Sequence, residues 1–325
     1  MRTKMIVGAI ASAAVIALSA TACGSAASPA LSMSNPQTAT VMMNWFAQAE
    51  QGGYWDAMQN QYGKASGVTL NVKQGGPGIQ TIPQVAAGQA DFGIANADEI
   101  IVARKNGLPI VAVAAAYDTN LQCMMSHKSE GITDFPGLNG HQVSRVPSPY
   151  FDFLKSHFKL TGVEEINYTG SLADFKRNTN LVQQCFVTSD VYQAKQEGID
   201  INVLSVAKDG GYNPYGLLLF TTEKVVKEKP DLVRSVVDSS IKGWKNFLAN
   251  PTDAKTAVMA ANKDVDPGTF DAAAKVIKDG NYLGDSIGTF KSDRWTTLRD
   301  QLATINQVPA SFDPSVAFTN DFLPK

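Results

Sequence analysis

The run ADFGIANADEIIVARKNGLPIVAVAAAY, residues 90–117, constrains the fold more than any other stretch. DFGIA is a short apolar strand. Asn96 then caps a helix, and Glu99, three residues on, is placed to reach back and complete a capping box. The helix stops at Gly107, with Pro109 just beyond it. PIVAVAAAY is apolar throughout, as expected of a strand covered on both faces. Strand, helix and doubly covered strand in succession imply an α/β fold with a doubly wound sheet.

The same alternation runs along most of the chain. TATVMMNWF (38–46) is strand-like, with Trp45 and Phe46 closing it. QGGYWDAMQNQYGKAS (51–66) has the spacing of an amphipathic helix, because Tyr54, Met58 and Tyr62 recur every four residues. VTLNVK (68–73) alternates as a strand. A helix then runs to about Ala87 and stops at Gly88, with Pro83 tolerated only in its first turn. Further strands are LQCMMSHK (121–128), HQVSRV, EINYTG (165–170), CFVTS (185–189), INVLSVA (201–207) and YGLLLFTT (215–222), and a helix starts near Ser148. Helices dominate from Glu223 onward, several opening with Pro or Asp. The expected organisation is two α/β lobes and a helical C-terminal segment. AAAYDTN (114–120) and GGYNPYG (210–216) are the crossings between lobes. If the last strand returns to the first unit, lobe 1 comprises 38–118 and 216–325 and lobe 2 comprises 119–215, with a hinge and a cleft between them.

The first residues read as an export signal. Arg2 and Lys4 precede an uncharged, mostly apolar run from Met5 to Ala22. The run approaches the roughly 20 residues of a membrane span, but small residues and a cysteine end it. SATAC resembles a bacterial lipoprotein box, with lipid expected on Cys23. Ala20-Thr21-Ala22 also reads as an ordinary cleavage site. Residues 1–22 are thus a signal peptide and 23–37 a tether, small and polar with two prolines. Cys123 and Cys185 remain. In an oxidising exterior they can pair, or they can stay as buried apolar thiols. Their strand-like surroundings favour the second reading.

QGGPGIQ (74–80), between a strand and a helix, looks like a loop for a phosphate. It lacks the Walker A pattern. Gly76-Pro77-Gly78 begins a dinucleotide fingerprint, but Thr81 stands at the third glycine and Pro77 removes an N–H. His127, His141 and His157 are too widely spaced for a metal pair, and no C-x-x-C occurs. No G-x-S-x-G elbow is present. A formal net charge of −2 gives no footprint for nucleic acid. No cofactor, metal or catalytic residue is expected. The aromatic residues point instead to a small ligand. Trp45, Phe46, Tyr54, Tyr150, Tyr212 and Tyr215 fall at strand ends, helix starts or crossings, where a cleft forms.

MNWFAQAEQGGYW, followed by QGGPGIQTIPQVAAGQADFGIANADEIIVARKNGLPIVAVAA, resembles the solute-binding proteins of ABC importers for nitrate, alkanesulfonates, taurine and thiamine-pyrimidine precursors. GLNGHQVSRVPSPYFDFLK is similar to that family's second-lobe loop. CFVTSDVYQAKQEG resembles a segment whose Asn-Glu-Pro triplet here reads Ser189-Asp190-Val191. The related pyrimidine-synthesising enzymes carry a cysteine-rich motif absent from this chain.

The resemblance implies a type II periplasmic-binding fold and a monomeric binding protein, not an enzyme, outside the cytoplasm. The partners it implies are an ABC permease with its ATPase, and the membrane through the lipid on Cys23. By position, first-lobe ligand contacts are expected from Trp45, Phe46, Gly76, Gly78, Asn96 and Asp98. Second-lobe contacts are expected from Ser148, Tyr150, Ser189 and Asp190, with Tyr212 and Asn213 near the hinge. Asp98 in the cleft would favour an amine or ring N–H over a bare anion, unless it merely faces its helix dipole. The expected ligand is a small nitrogen heterocycle of pyrimidine-precursor type. Sulfonate, taurine or nitrate, a pyrimidine-synthase enzyme, and a ligand sensor remain the alternatives.

Overall fold

Two arrangements of apolar side chains divide the strands, and they track position in the sheet. In β2 (Val68–Lys73) Val68, Leu70 and Val72 are buried while Thr69 and Lys73 are exposed, the alternation of an edge strand with one wet face. In β3 (Phe92–Ala95) and β4 (Ile110–Ala114) every residue is buried. The computed structural model describes residues 35–324. The signal peptide, most of the tether and Cys23 lie outside those residues.

The first sheet joins β1 (Gln37–Met42), β2, β3, β4 and β10 (Leu218–Thr222) in the order β2-β1-β3-β10-β4. The pairs β1–β2 and β1–β3 are parallel, and β10 runs antiparallel to both its neighbours. The last strand thus inserts between β3 and β4 in the first sheet. β4 lies at an edge yet stays dry, because the C-terminal segment lies along it. Thr319 N–H donates to Ala112 O at 2.9 Å there, which covers an edge that would otherwise invite pairing.

The second sheet joins β5 (Gln122–His127), β6 (Gln142–Arg145), β7 (Glu164–Asn167), β8 (Leu181–Phe186) and β9 (Ile201–Ser205) in the order β7-β6-β8-β5-β9. Here β5 is the antiparallel strand, against β8 and β9. Both sheets are therefore mixed, each wound parallel with one strand reversed. Cys123 faces Cys185 in the β5–β8 register, with Cα atoms 4.8 Å apart, and the two form a disulfide. This corrects the expectation of separate thiols: the ladder register brings the two strands' cysteines opposite each other, which spacing in sequence does not reveal.

The helix Pro230–Ala249 packs on the helix Gly52–Gln59 at close range. A Cβ at Gly53 would stand 2.1 Å from the Trp244 ring, so this helix carries glycine where the large ring must fit. The two crossings between sheets bond to each other. Tyr117 and Gly216 exchange backbone hydrogen bonds of 3.2 and 3.3 Å, and Asn120 N–H donates to Asn213 Oδ1 at 2.8 Å. Arg294 ties this strap down. Its guanidinium pairs with Asp118 at 2.5 Å, donates to Asn213 O at 2.8 Å and lies 3.8 Å over the Tyr215 ring. Among the described residues no helix is long and apolar enough to cross a membrane.

Candidate functional site

A cleft of about 1110 Å³ opens between the ends of the two sheets, with the crossings at its back. Its first wall starts where β1 gives out. Met43 N–H makes the last bond to Lys73 O at 2.8 Å, and the chain then turns so that Trp45 O accepts from Gly75 N–H at 2.9 Å. Trp45 and Phe46 therefore stand in a loop rather than closing the strand. Gly75 is the residue that lets the two loops cross, because a Cβ there would lie 2.3 Å from Met43 O. Gly76 then passes beside the Phe46 ring, and Gly78 adopts a left-handed φ of 81° before the helix Thr81–Ala86 begins. Thr81 fixes that helix by donating its hydroxyl to Ile94 O at 2.8 Å.

The second wall is made by the segments after β6, β7 and β8. Ser148 is the N-cap position of the helix Pro149–Phe158, with Pro149 at its first turn. Ser189 stands just before the helix Asp190–Gln196. Asp190 turns its carboxylate back to accept Phe186 N–H at 2.6 Å. Burial, with the charge of Glu50 adding to it, pushes the Asp190 carboxyl up to about 7.

Two contacts between the walls frame the cleft. Trp45 stacks on Tyr168, rings nearly parallel at 8° with centroids 6.1 Å apart. Below them Thr188 donates its hydroxyl to Glu50 Oε1. Glu50 sits on a single 3-10 turn, Ala49–Gln51, entirely shielded from solvent, and its Oε2 has no hydrogen-bond partner. Burial raises its carboxyl above the ordinary glutamate range.

Of the residues singled out in the sequence, Trp45, Phe46, Gly76, Gly78, Asn96, Ser148, Ser189 and Asp190 line this cleft together. Four do not. Asp98 points away from the cleft and is buried, accepting from Tyr212 Oη at 2.9 Å and Glu99 N–H at 2.9 Å. Burial raises the pKa of both Asp98 and Tyr212. The cleft-facing acid of this helix is instead Glu99, which accepts Asn96 N–H at 2.7 Å. Tyr150 is buried behind the wall, its hydroxyl 3.5 Å from Gln184 Oε1. Asn213 serves the strap. Glu50, Tyr168, Thr188 and Gln184 had not been anticipated. Local signals point to two of them: for Glu50 an acid in the small-residue context AQAEQGG just after Trp45-Phe46, and for Tyr168 a tyrosine directly before the turn that ends at Gly170.

The cleft's charge is one-sided. Arg145 lines it but is paired with Glu165, its Nε donating to Glu165 Oε2 at 2.6 Å. Lys263 stands at the exposed rim. None of His127, His141 and His157 lines the cleft.

Comparison with known proteins agrees with this architecture. The model of the family described as NMT1/THI5 like matches residues 48–254, more than half of the chain. The chain is similar to the riboflavin-binding protein RibY of Chloroflexus aurantiacus, 21% identical over 306 residues, covering 89% of this chain and 86% of that one. It is also similar to the formylaminopyrimidine-binding protein of Halalkalibacterium halodurans, 21% identical over 236 residues, covering 70% of this chain and 71% of that one. In structure it resembles the periplasmic aliphatic sulphonate binding protein SsuA from Escherichia coli, with a TM-score of 0.65 at 13% identity, covering 87% of this chain and 92% of that one. The fold is that of the periplasmic binding proteins.

Proposed function

The chain belongs to the NMT1/THI5-like family, and from that premise we propose that it is the extracytoplasmic solute-binding lipoprotein of an ABC importer, anchored by lipid on Cys23, for a flat nitrogen heterocycle of the pyrimidine-precursor or flavin kind. One observation carries the ligand class: Trp45 and Tyr168 present nearly parallel faces from opposite walls. Parting them by about the 3.5 Å thickness of a ring admits a planar ligand with a face on each side. The charge distribution supports the same class, since Arg145 is already engaged by Glu165 while Glu50 and Asp190 supply acceptors. Two of the similar proteins bear the names of flat, nitrogen-rich ligands.

The mechanism is capture by closure. A ligand held by both walls makes contacts in the closed form that the open form lacks, and that difference moves the equilibrium. Trp45, Phe46 and the Gly76–Gly78 loop act from the first wall. Ser148, Tyr168, Ser189 and Asp190 act from the second, with Tyr117 and Gly216 bending at the back. The closed protein then docks on a permease.

A sulfonate or nitrate is the rival ligand, favoured by the likeness to SsuA, and would depend on Lys263 at the rim. A thermal-shift panel separates the two. Aminopyrimidines or riboflavin should raise the melting temperature, by about 2.7 kcal/mol of stability at 100 times Kd. Stabilisation by taurine or nitrate, with none from the heterocycles, would overturn the proposal.

A further inference from the structure

We infer that Glu50 is the specificity-determining acceptor of the cleft, selecting ligands that present a cationic or N–H-donating nitrogen at its floor and rejecting anions; this rests on the solute-binding reading above. Glu50 is fully shielded from solvent and lines the cleft floor. Its Oε1 is held by Thr188 from the opposite wall, and its Oε2 is without a partner. A buried carboxylate oxygen with no donor is costly to keep, and few buried polar atoms in a native protein lack a partner. The groups facing it supply no cation. Thr188 spends its hydroxyl on Oε1, the Ser189 hydroxyl lies near without completing a hydrogen bond to Oε2, and Asp190 adds a second acid from the Thr188 wall. Tyr117 spends its hydroxyl on the Glu50 carbonyl at 2.8 Å. Glu50 takes part in no salt bridge among the described residues, and the nearest lining arginine is held by Glu165.

A donor arriving between the walls therefore meets an acid prepared on one side by Thr188 and vacant on the other. A hydrogen bond forms there, and a cationic nitrogen makes it charge-assisted, of the stronger kind. A sulfonate or nitrate at the same place meets no free cation, because the lining arginine is engaged by Glu165, and gains nothing to offset the loss of its hydration. Because the acid spans the gap through Thr188, the donor is read only as the walls come together, which couples recognition to closure.

Isothermal titration of the purified protein tests this with formylaminopyrimidine, riboflavin and propylamine as donor probes and methanesulfonate and nitrate as anions. The wild type should bind at least one donor probe and neither anion. Glu50→Gln, nearly isosteric, should weaken that donor probe at least about tenfold and should bring methanesulfonate binding into the measurable range. Glu50→Asp, which keeps the charge but withdraws it, should weaken the donor probe while still refusing the anions. A donor probe bound equally by wild type and Glu50→Gln would overturn the role of Glu50 and leave the heterocycle-binding reading intact. Wild-type binding of methanesulfonate or nitrate, or of no donor probe, would overturn both. Circular dichroism and melting of each variant establish that it is folded, and the Asp variant decides if the Gln variant is not.

Discussion

Asp98 and Glu50 are both buried acids, yet their surroundings give them different work. Asp98 accepts the Tyr212 hydroxyl from a residue 114 positions away. Its carboxylate is satisfied within the core and ties the first lobe to the strap. Asp98→Asn keeps the shape but weakens that bond, and Tyr212→Phe leaves the acid short of a donor. Each should cost about 1–3 kcal/mol of stability in chemical denaturation, with ligand affinity unchanged within about twofold. A large loss of affinity at unchanged stability would return Asp98 to the cleft. Asp190 gives a pH prediction whose sign is fixed. Its carboxyl stands at about 7 in the folded chain against an ordinary 3.8. The unfolded chain releases this proton first, so the group's stabilising share is complete below about pH 4 and is lost as pH rises to about 7. Glu50, also raised, acts in the same direction. The melting temperature of the ligand-free protein should fall over that window, and Asp190→Asn should flatten part of the slope. A melting temperature that rises there would contradict the placement of both acids.

At the scale of elements, the loops rather than the strands hold the site. Gly75 exists to let the Trp45 loop and the Gly76–Gly78 loop cross. Gly75→Ala should displace Trp45 and weaken ligand binding more than it lowers stability, measured by titration and melting on the same variant. The Cys123–Cys185 bond joins β5 to β8 beside the second wall. Its removal by Cys123→Ala with Cys185→Ala should cost about 2–5 kcal/mol, seen as a lower denaturation midpoint, and reductant should reproduce the loss in the wild type. The elements themselves were legible because their signals are local. The helix entry at Ser148-Pro149, the stop at Gly88, the helix cap at Asn96 and the fully apolar β4 all read directly from neighbours in sequence. The cysteine pairing was not legible, since it depends on the register of two strands. Nor were the Trp45–Tyr168 stack and the Glu50–Thr188 bond, which arise only when loops from different sheets meet. Trp45 and Phe46 showed the same limit: their apolar character extended a strand that the turn toward Gly75 ends early.

The whole molecule is two sheets joined by two crossings that bond to each other, and the proposed capture by closure would bend there. Arg294 fastens the strap through Asp118, Asn213 and Tyr215. In the proposed closure Arg294 would act on the spacing of the two sheets from outside the cleft. The parallel aromatic faces and the two acids come from opposite walls, and the proposed ligand would engage them only with both walls in place. A crystal structure of the protein soaked with formylaminopyrimidine or riboflavin tests this most directly. The ring system is expected between Trp45 and Tyr168, with the two side chains parted and a ligand nitrogen within hydrogen-bond distance of Glu50 Oε2. A ligand bound elsewhere while Trp45 and Tyr168 remain stacked on each other would contradict it.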